Sequence, residues 1–217
     1  ALKSTIWLLD PRPNLQVIVN TVQKAFELSE YSHTPVMMQL RIRACHLQGT
    51  FITKDNVKPN ISSINKIKEV AQHNYDLIAH PPSTYAQEKL KYGQRAELAK
   101  HYVADNSLNE FFEGTIKEVA LIVQGGLYNN LISSLEEMGL ADSLGNTQVS
   151  IYVLNVVHPL IPDEIISYAK KFKALLIIEE GQPQYIEQEL GLLLHKEKIN
   201  VDLKGKDILP MAGEYTS

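Results

Sequence analysis

The segment EVALIVQGG, Glu118–Gly126, is a run of mostly apolar residues that ends in a pair of glycines. An almost uninterrupted apolar run of this length is typical of a strand that is covered on both faces, as in a parallel sheet. The next segment, Leu127–Gly139, places its apolar residues three and four positions apart, which predicts a helix. Together these segments predict a strand, a tight turn and a helix, the repeating unit of an α/β sheet.

The same alternation continues toward the end of the sequence. Further strands are predicted over Gln148–Val157, Lys173–Ile178 and Ile199–Leu203, with helices beginning near Pro162 and Gln184. Proline is favoured in a first helical turn because its missing N–H would be unpaired there in any case. Repeated βα units over residues 115–217 predict an open, doubly wound α/β sheet.

Residues 1–50 contain a smaller unit of the same kind. Strands are predicted over Ser4–Leu9 and Val36–Ile42, and between them a helix that Asn14 caps and that runs to Ser32. A unit of roughly 50 residues buries too little surface to be stable alone. We therefore expect it to need more chain, and we expect the whole sequence to be a piece of a larger enzyme.

The segment 51–114 is more polar and is interrupted by prolines. Short helical patterns occur over Ile61–Asn74 and Ser83–Asp105, and no convincing pair of strands is visible. Because the composition is not of low complexity, we interpret this segment as an ordered helical connector.

Composition narrows the classes of protein to which the chain can belong. Its 217 residues are 44% apolar and 21% charged with a net charge of −4, so no basic excess suggests nucleic acid. No apolar run approaches the roughly 18 residues of a membrane helix, and no secretory signal opens the sequence. The single cysteine, Cys45, excludes an internal disulfide framework and an iron–sulfur cluster held by this piece alone. We expect a cytoplasmic protein that binds neither nucleic acid nor membrane.

The ends of the predicted strands carry the candidate functional residues, because ligands of open α/β sheets bind there. Gly125 and Gly126 precede a helix whose first N–H groups suit an anion. They lack the three-glycine spacing of a dinucleotide site, which favours a simple tight turn. Glu179 and Glu180 are adjacent on a strand and point to opposite faces, which favours structural or interface roles over a catalytic carboxylate pair.

A second group of polar residues follows the predicted strand Val36–Ile42. If that strand continues, Arg41 and Arg43 share a face, whereas Cys45 and His46 lie on opposite sides of the backbone. This placement favours a domain or subunit contact over nucleophilic catalysis, so no catalytic residue is assigned. The residues nearby also lack the spacing of metal ligands. His158, in a predicted loop before proline, is interpreted as a surface or interface residue.

Several short segments, in order along nearly the whole chain, resemble the large subunit of the indolepyruvate ferredoxin oxidoreductases. These enzymes belong to the thiamine-diphosphate-dependent 2-oxoacid:ferredoxin oxidoreductases. The segments that carry the resemblance are Ala25–Glu30, Thr34–Met38, Arg43–His46, Ser107–Asn109, Val119–Gly125 with Tyr128-Asn129, His158–Pro162, Ile177–Glu180, Gly205–Asp207, Leu209-Pro210 and Ala212–Glu214. The chain departs from the family pattern at His158, where tyrosine is usual, and at Tyr215, where leucine is.

The resemblance implies a piece that spans the end of a pyrimidine-binding domain (1–50), a connector (51–114) and a transketolase-C-terminal-like domain (115–217). It implies oxidative decarboxylation of an aryl 2-oxoacid such as indolepyruvate. Thiamine diphosphate, magnesium and iron–sulfur clusters would be bound elsewhere in the full enzyme, and none is expected on this piece alone. The implied partners are a smaller (beta) subunit, ferredoxin and coenzyme A, in an oligomer of like or unlike subunits.

The residues to which the resemblance assigns a cofactor contact are Arg43 and His46, together with Gly125 and Gly126 at the glycine turn. Three other interpretations stay open at this point. The chain could belong to another 2-oxoacid oxidoreductase or a transketolase relative. It could be a non-catalytic α/β module that binds an anionic ligand at the glycine turn, or a domain whose role is purely structural.

Overall fold

The structure is a computed structural model that describes residues 4, 6–56, 67–68, 70 and 73–216. The helix predicted over Ile61–Asn74 lies largely outside the described residues. Two sheets are present, one with three strands and one with five, and helices pack against both.

The elements of the first half of the chain form a βαβ unit and a helical connector. They are β1 (Trp7–Leu9), α1 (Leu15–Ser32), β2 (Val36–Met38), α2 (Ile42–Cys45), a 3₁₀ turn (Tyr75–Leu77), α3 (Ser83–Leu90), a π-helical turn (Lys91–Arg95) and α4 (Ala96–Asp105). Asn14 caps α1 as predicted, because its side-chain oxygen accepts a hydrogen bond from the Val17 N–H at 3.1 Å.

The elements of the second half alternate between strands and helices. They are β3 (Glu110–Phe112), β4 (Ile116–Gln124), α5 (Tyr128–Glu137), β5 (Val149–Leu154), β6 (Val156–His158), α6 (Pro162–Ala169), β7 (Ala174–Ile178), α7 (Tyr185–Lys196) and β8 (Asp202–Lys204).

The five-stranded sheet confirms the predicted α/β class and its open, doubly wound form. Its order is β3-β5-β4-β7-β8, in which the last four strands are parallel and β3 is an antiparallel edge. Alternate residues of β4 face opposite layers: Ile122 packs with α6 and α7, and Leu121 and Val123 pack with α5. Both faces of the strand are therefore buried, which explains why its sequence is almost uninterruptedly apolar.

The three-stranded sheet has the order β2-β1-β6 and combines both halves of the chain. Strands β1 and β2 are parallel, and β6 runs antiparallel to β1. Trp7 and Leu9 of β1 are buried against Ala99 and Val103 of α4, so the connector covers this sheet. The βαβ unit is thus completed by a strand from the second half, in agreement with the expectation that it needs more chain.

The prediction of a single strand over Gln148–Val157 is wrong in one respect. It divides at Asn155 into β5, in the larger sheet, and β6, in the smaller one. The division occurs because the backbone carbonyl of Asn155 accepts the Asp10 N–H at 2.8 Å, which turns the chain toward β1.

Two further expectations are corrected in the first half of the chain. The strand predicted to reach Ile42 ends at Met38, because its partner β1 ends at Leu9, before the prolines at 11 and 13. The residues that follow form α2 instead of continuing the strand. The connector also includes a strand, β3, which was missed because three residues are too few for a periodic signal.

Candidate functional site

The carboxyl ends of β1, β4 and β7 meet between the two sheets. Each strand is followed by a polar group: Asp10 after β1, Gln124 at the end of β4, and Glu180 two residues beyond β7. Arg41, which precedes α2, contacts all three side chains. We call these four residues the junction.

The Arg41 guanidinium links the two sheets directly. Its Nε and Nη2 donate to Asp10 Oδ2 at 3.1 and 3.0 Å, and Nη2 also donates to Gln124 Oε1 at 3.0 Å. Its Nη1 pairs with Glu180 Oε2. A guanidinium with several donors in a fixed plane suits such a multiple contact, which a lysine could not reproduce.

Asp10 is the most deeply buried member of the junction, with 2% of its surface exposed. Burial raises the pKa of its carboxyl, whereas the charge and hydrogen bonds of Arg41 and the backbone N–H of Gly126 lower it. The net direction is upward, so desolvation outweighs the favourable contacts. The carboxylate thus depends on Arg41 for compensation of its buried charge.

The Gly125–Gly126 turn is packed against the first half of the chain. A Cβ at Gly125 would overlap the Asp10 carbonyl, and one at Gly126 would overlap Arg41 and Asp10. Close approach of the two sheets therefore requires glycine at both positions. Since the side chains of Asp10 and Arg41 occupy the space beside Gly126, an external anion at this turn would have to take the place of the Asp10 carboxylate.

A second network surrounds Asn155, beside the junction. Its Oδ1 accepts the Arg12 N–H at 2.8 Å, and its Nδ2 donates to the Leu108 carbonyl at 2.8 Å and to Glu110 at 3.0 Å. Arg12 in turn binds Glu110 through two hydrogen bonds of 2.9 and 3.0 Å. Both of the polar atoms of this buried amide are satisfied at the point where the strand changes sheets.

Glu179 and Glu180 follow β7, which ends at Ile178, and do not lie on the strand as predicted; each has a different structural role. The Glu179 carboxylate accepts the N–H groups of Ile186 and Glu187 at 3.0 to 3.1 Å and so caps α7. Burial raises the pKa of Glu179, although these hydrogen bonds and nearby Lys206 lower it. Glu180 belongs to the junction, and its Oε1 also accepts the Tyr215 N–H at 2.8 Å.

The other basic candidates lie on α2, which brings Arg43 and His46 onto one helical turn. Arg43 donates to Glu214 at 2.7 Å and to the Tyr215 carbonyl at 3.0 Å, so it holds the end of the described chain. His46 and Cys45 are exposed. The assignment of Arg43 and His46, with Gly125 and Gly126, to a cofactor stays a prediction.

His158 lies in β6 and not in a loop. Its Nδ1 is 3.4 Å from Glu189 Oε2, and 13% of its side chain is exposed. Its Nε2 is buried without a hydrogen-bond partner among the described residues. The histidine is therefore an interior residue at the edge of the smaller sheet.

Within the described part of the chain, no three His, Cys, Asp or Glu side chains are placed to hold a metal ion. A search of those residues likewise finds no helix with the length and hydropathy to span a membrane.

Sequence reasoning missed part of this site. Asp10, Arg12 and Glu110 were not selected as candidates, whereas Gln124 and Asn155 lie at the strand ends where a ligand was expected. Asp10 carried the same signal of position, because it directly follows a strand, where side chains of neighbouring strands converge.

Comparison with known proteins supports the resemblance carried by the motifs. The chain is 23% identical over 212 residues to indolepyruvate oxidoreductase subunit IorA of Methanothermobacter marburgensis, covering 96% of this chain and 32% of that subunit. It is 22% identical over 220 residues to IorA of Pyrococcus abyssi, again covering 32% of the relative. The chain thus spans about one third of the length of the curated relatives that it matches. No family model matches it.

Among solved structures, the fold is similar to that of a 2-oxoglutarate:ferredoxin oxidoreductase from Magnetococcus marinus, with 2-oxoglutarate, coenzyme A and succinyl-CoA bound. The TM-score is 0.51 at 13% identity, over 95% of this chain and 39% of that one. At this identity the similarity concerns the fold. Taken with the IorA relatives, it identifies this chain as a homologue of about one third of an indolepyruvate oxidoreductase subunit IorA.

Proposed function

We propose that this chain is the part of a thiamine-dependent 2-oxoacid:ferredoxin oxidoreductase that joins a pyrimidine-binding domain to a transketolase-C-terminal-like domain. The full enzyme would decarboxylate aryl 2-oxoacids such as indolepyruvate, with coenzyme A and ferredoxin as further reactants. A smaller subunit would complete the assembly. The role of the chain itself would be to hold the two domains in a fixed relation.

The observation that carries this proposal is the multiple contact of Arg41. One guanidinium binds Asp10 from the smaller sheet and Gln124 and Glu180 from the larger sheet. These side chains lie at the carboxyl ends of strands, where an open α/β sheet ordinarily binds its ligand. Because the junction uses them to join the two sheets, a structural role fits this chain better than catalysis.

The described residues do not by themselves fit thiamine diphosphate. A diphosphate needs free N–H groups and cations, yet the glycine turn is filled by Asp10 and Arg41, and Arg43 is paired with Glu214. The cofactor, which supplies the electron sink for decarboxylation, would be bound mainly by other segments. Arg43 and His46 would contribute one wall of that site or of the coenzyme A site.

The first test is the reading frame on both sides of this sequence in its source genome. The proposal expects a diphosphate-binding segment and a cysteine-rich iron–sulfur segment in the same frame. The protein encoded by that frame, purified with its small subunit, should reduce a viologen dye when indolepyruvate and coenzyme A are added. Absence of both segments and of dye reduction would overturn the proposal.

A second test uses the 217-residue chain alone. We expect no turnover and no tight binding of thiamine diphosphate with magnesium in isothermal titration calorimetry. Tight binding by the isolated chain would contradict a structural role and would place the cofactor site on these residues.

A further inference from the structure

A small pocket lies at the amino end of β1, at the opposite end of that strand from the junction. Its volume is about 270 Å³, slightly below the roughly 300–1,000 Å³ of sites for drug-sized ligands. Its apolar walls come from Trp7, Tyr92, Ala96 and Pro159, so strands of the smaller sheet and the connector enclose it together. We call it the amino-end pocket.

Three basic side chains also line the amino-end pocket: Lys91, Lys100 and His158. None of its lining residues is an aspartate or a glutamate. Lys100 pairs with Glu97 at 2.8 Å, whereas Lys91 has no carboxylate partner within the described ranges and lies 6.0 Å from the Tyr92 ring. Because Glu97 faces Lys100 and Glu189 faces His158, the positive charge left without a carboxylate at the pocket, within the described residues, is that of Lys91.

His158 supplies a second and independent observation. Its Nδ1 faces Glu189, and its Nε2 is buried with no partner among the residues that the structure describes. Leaving a buried polar atom unpaired costs stability, and most proteins avoid it. Because Nε2 itself has no exposed surface, a ligand in the pocket would pair with this nitrogen only after a shift of the imidazole, which would remove that cost.

The backbone beside the pocket is also irregular. Lys91 and Tyr92 belong to the π-helical turn between α3 and α4, and Ala96 begins the helix that follows. Such turns are rare inside helices and are frequent at functional sites, because they widen the helix and redirect side chains. Here the turn places Lys91 and Tyr92 at the pocket while α4 stays packed on β1.

We propose that the amino-end pocket binds a small organic anion, with a carboxylate or phosphate group beside an aromatic or aliphatic body. The head group would contact Lys91, Lys100 and His158, and the body would contact Trp7 and Pro159. The volume suits a ligand smaller than a nucleotide cofactor. This site is separate from the junction and does not depend on the function proposed above.

The test is isothermal titration calorimetry of the full 217-residue chain with matched probes. Phenylacetate and phenyl phosphate carry the two head groups, phenylacetamide is a neutral analogue of the first, and acetate lacks the aromatic body. We expect at least one of the two aromatic anions to bind at least tenfold more tightly than phenylacetamide and acetate. Binding of neither anion, or equal affinity for phenylacetate and phenylacetamide, would overturn the proposal.

Two variants connect the binding to these residues. Lys91→Gln should weaken the binding of the tighter probe about tenfold, whereas Lys89→Gln, an exposed lysine of the same helical region, should leave it unchanged. His158→Phe should also weaken binding while keeping the melting temperature at or above that of the parent, because an unpaired buried nitrogen is removed. If Lys91→Gln and Lys89→Gln bind the probe equally well, the anion does not occupy this pocket.

Discussion

The two ends of strand β1 differ in how their charges are arranged. At the carboxyl end, Asp10 is buried against Arg41, which also binds Gln124 and Glu180. At the amino end, Lys91 has no carboxylate partner among the described residues, and one nitrogen of His158 has no hydrogen-bond partner there. The contrast separates charges that hold the fold together from charges that remain available to a ligand.

This difference leads to opposite expectations for substitutions at the two ends. Charges that compensate each other in the interior cost stability when one partner is removed. Charges without partners cost little or nothing to remove, and their loss should affect binding only. Four substitutions, one of them also measured at two pH values, test this difference.

Arg41→Met should have the largest effect, because it leaves Asp10 and Glu180 without their cation in a buried setting. We expect a loss of about 3–5 kcal/mol in the free energy of unfolding, measured by urea denaturation followed by circular dichroism. Arg43→Met is the matched control, since the Glu214 partner of Arg43 is 80% exposed, and it should lose at most about 1 kcal/mol.

The loss in Arg41→Met should also depend on pH. Without Arg41 the pKa of Asp10 rises further, because the charge and hydrogen bonds that lower it are gone. A carboxyl whose pKa is raised by folding contributes stability at low pH and loses that contribution as the pH rises through the folded-state pKa. The deficit should therefore be smaller in acid than at neutral pH; an equal deficit at both would show that Asp10 is not its cause.

Asn155→Ala should have the next largest effect. The substitution leaves the buried N–H of Arg12 and carbonyl of Leu108 without partners, for which we expect a loss of about 2–4 kcal/mol. Asn146→Ala, in an exposed turn, should change the free energy of unfolding by about 0.5 kcal/mol. If the two variants unfold at the same urea concentration, the Asn155 network does not stabilise the change of sheet.

Glu179→Ala should cost about 1–2 kcal/mol, because the first N–H groups of α7 lose their acceptor. The matched control lies at the other end of the same helix. Glu197→Ala removes a negative charge from a carboxyl terminus, where the helix dipole disfavours it, and should be neutral or slightly stabilising. The cap is not supported if both substitutions shift the thermal midpoint equally.

Lys91→Gln should have the smallest effect on folding, within about 0.5 kcal/mol of the parent. The substitution removes a cation that has no ion pair in the described part of the chain, so no buried partner is left behind. Urea denaturation alongside Arg41→Met gives the comparison directly. A loss at Lys91 as large as that at Arg41 would mean that both ends of β1 serve stability.

Sequence patterns predicted the helices and strands of this fold well where the structure of a segment depends on residues close to it in the sequence. The apolar run of β4 and the Asn14 cap of α1 each depend on neighbouring residues, and both are confirmed. The junction could not be predicted in the same way, because Arg41 is 31 residues from Asp10 and 139 from Glu180. Pairing over such separations leaves no periodic trace in the sequence.

The division at Asn155 shows the same limit in one residue. The surrounding run, Val153–Val157, is apolar on both sides of the asparagine and reads as one continuous strand. Only the hydrogen bonds of the Asn155 side chain and carbonyl to distant segments reveal that the strand changes sheets. The amino-end pocket was missed for the same reason, since its lining residues come from four separate segments.

The segment that forms β5 and then β6 contributes one strand to each sheet, which limits how the two halves of the chain can be separated. Because β6 completes the smaller sheet, a fragment that begins near residue 115 would carry an apolar strand with an open edge, which favours aggregation. A fragment that ends before β5 would leave β1 without one of its two neighbours. Recombination that separates the two halves would therefore disrupt both of them. We expect the halves to be inherited as one unit, although each has its own sheet.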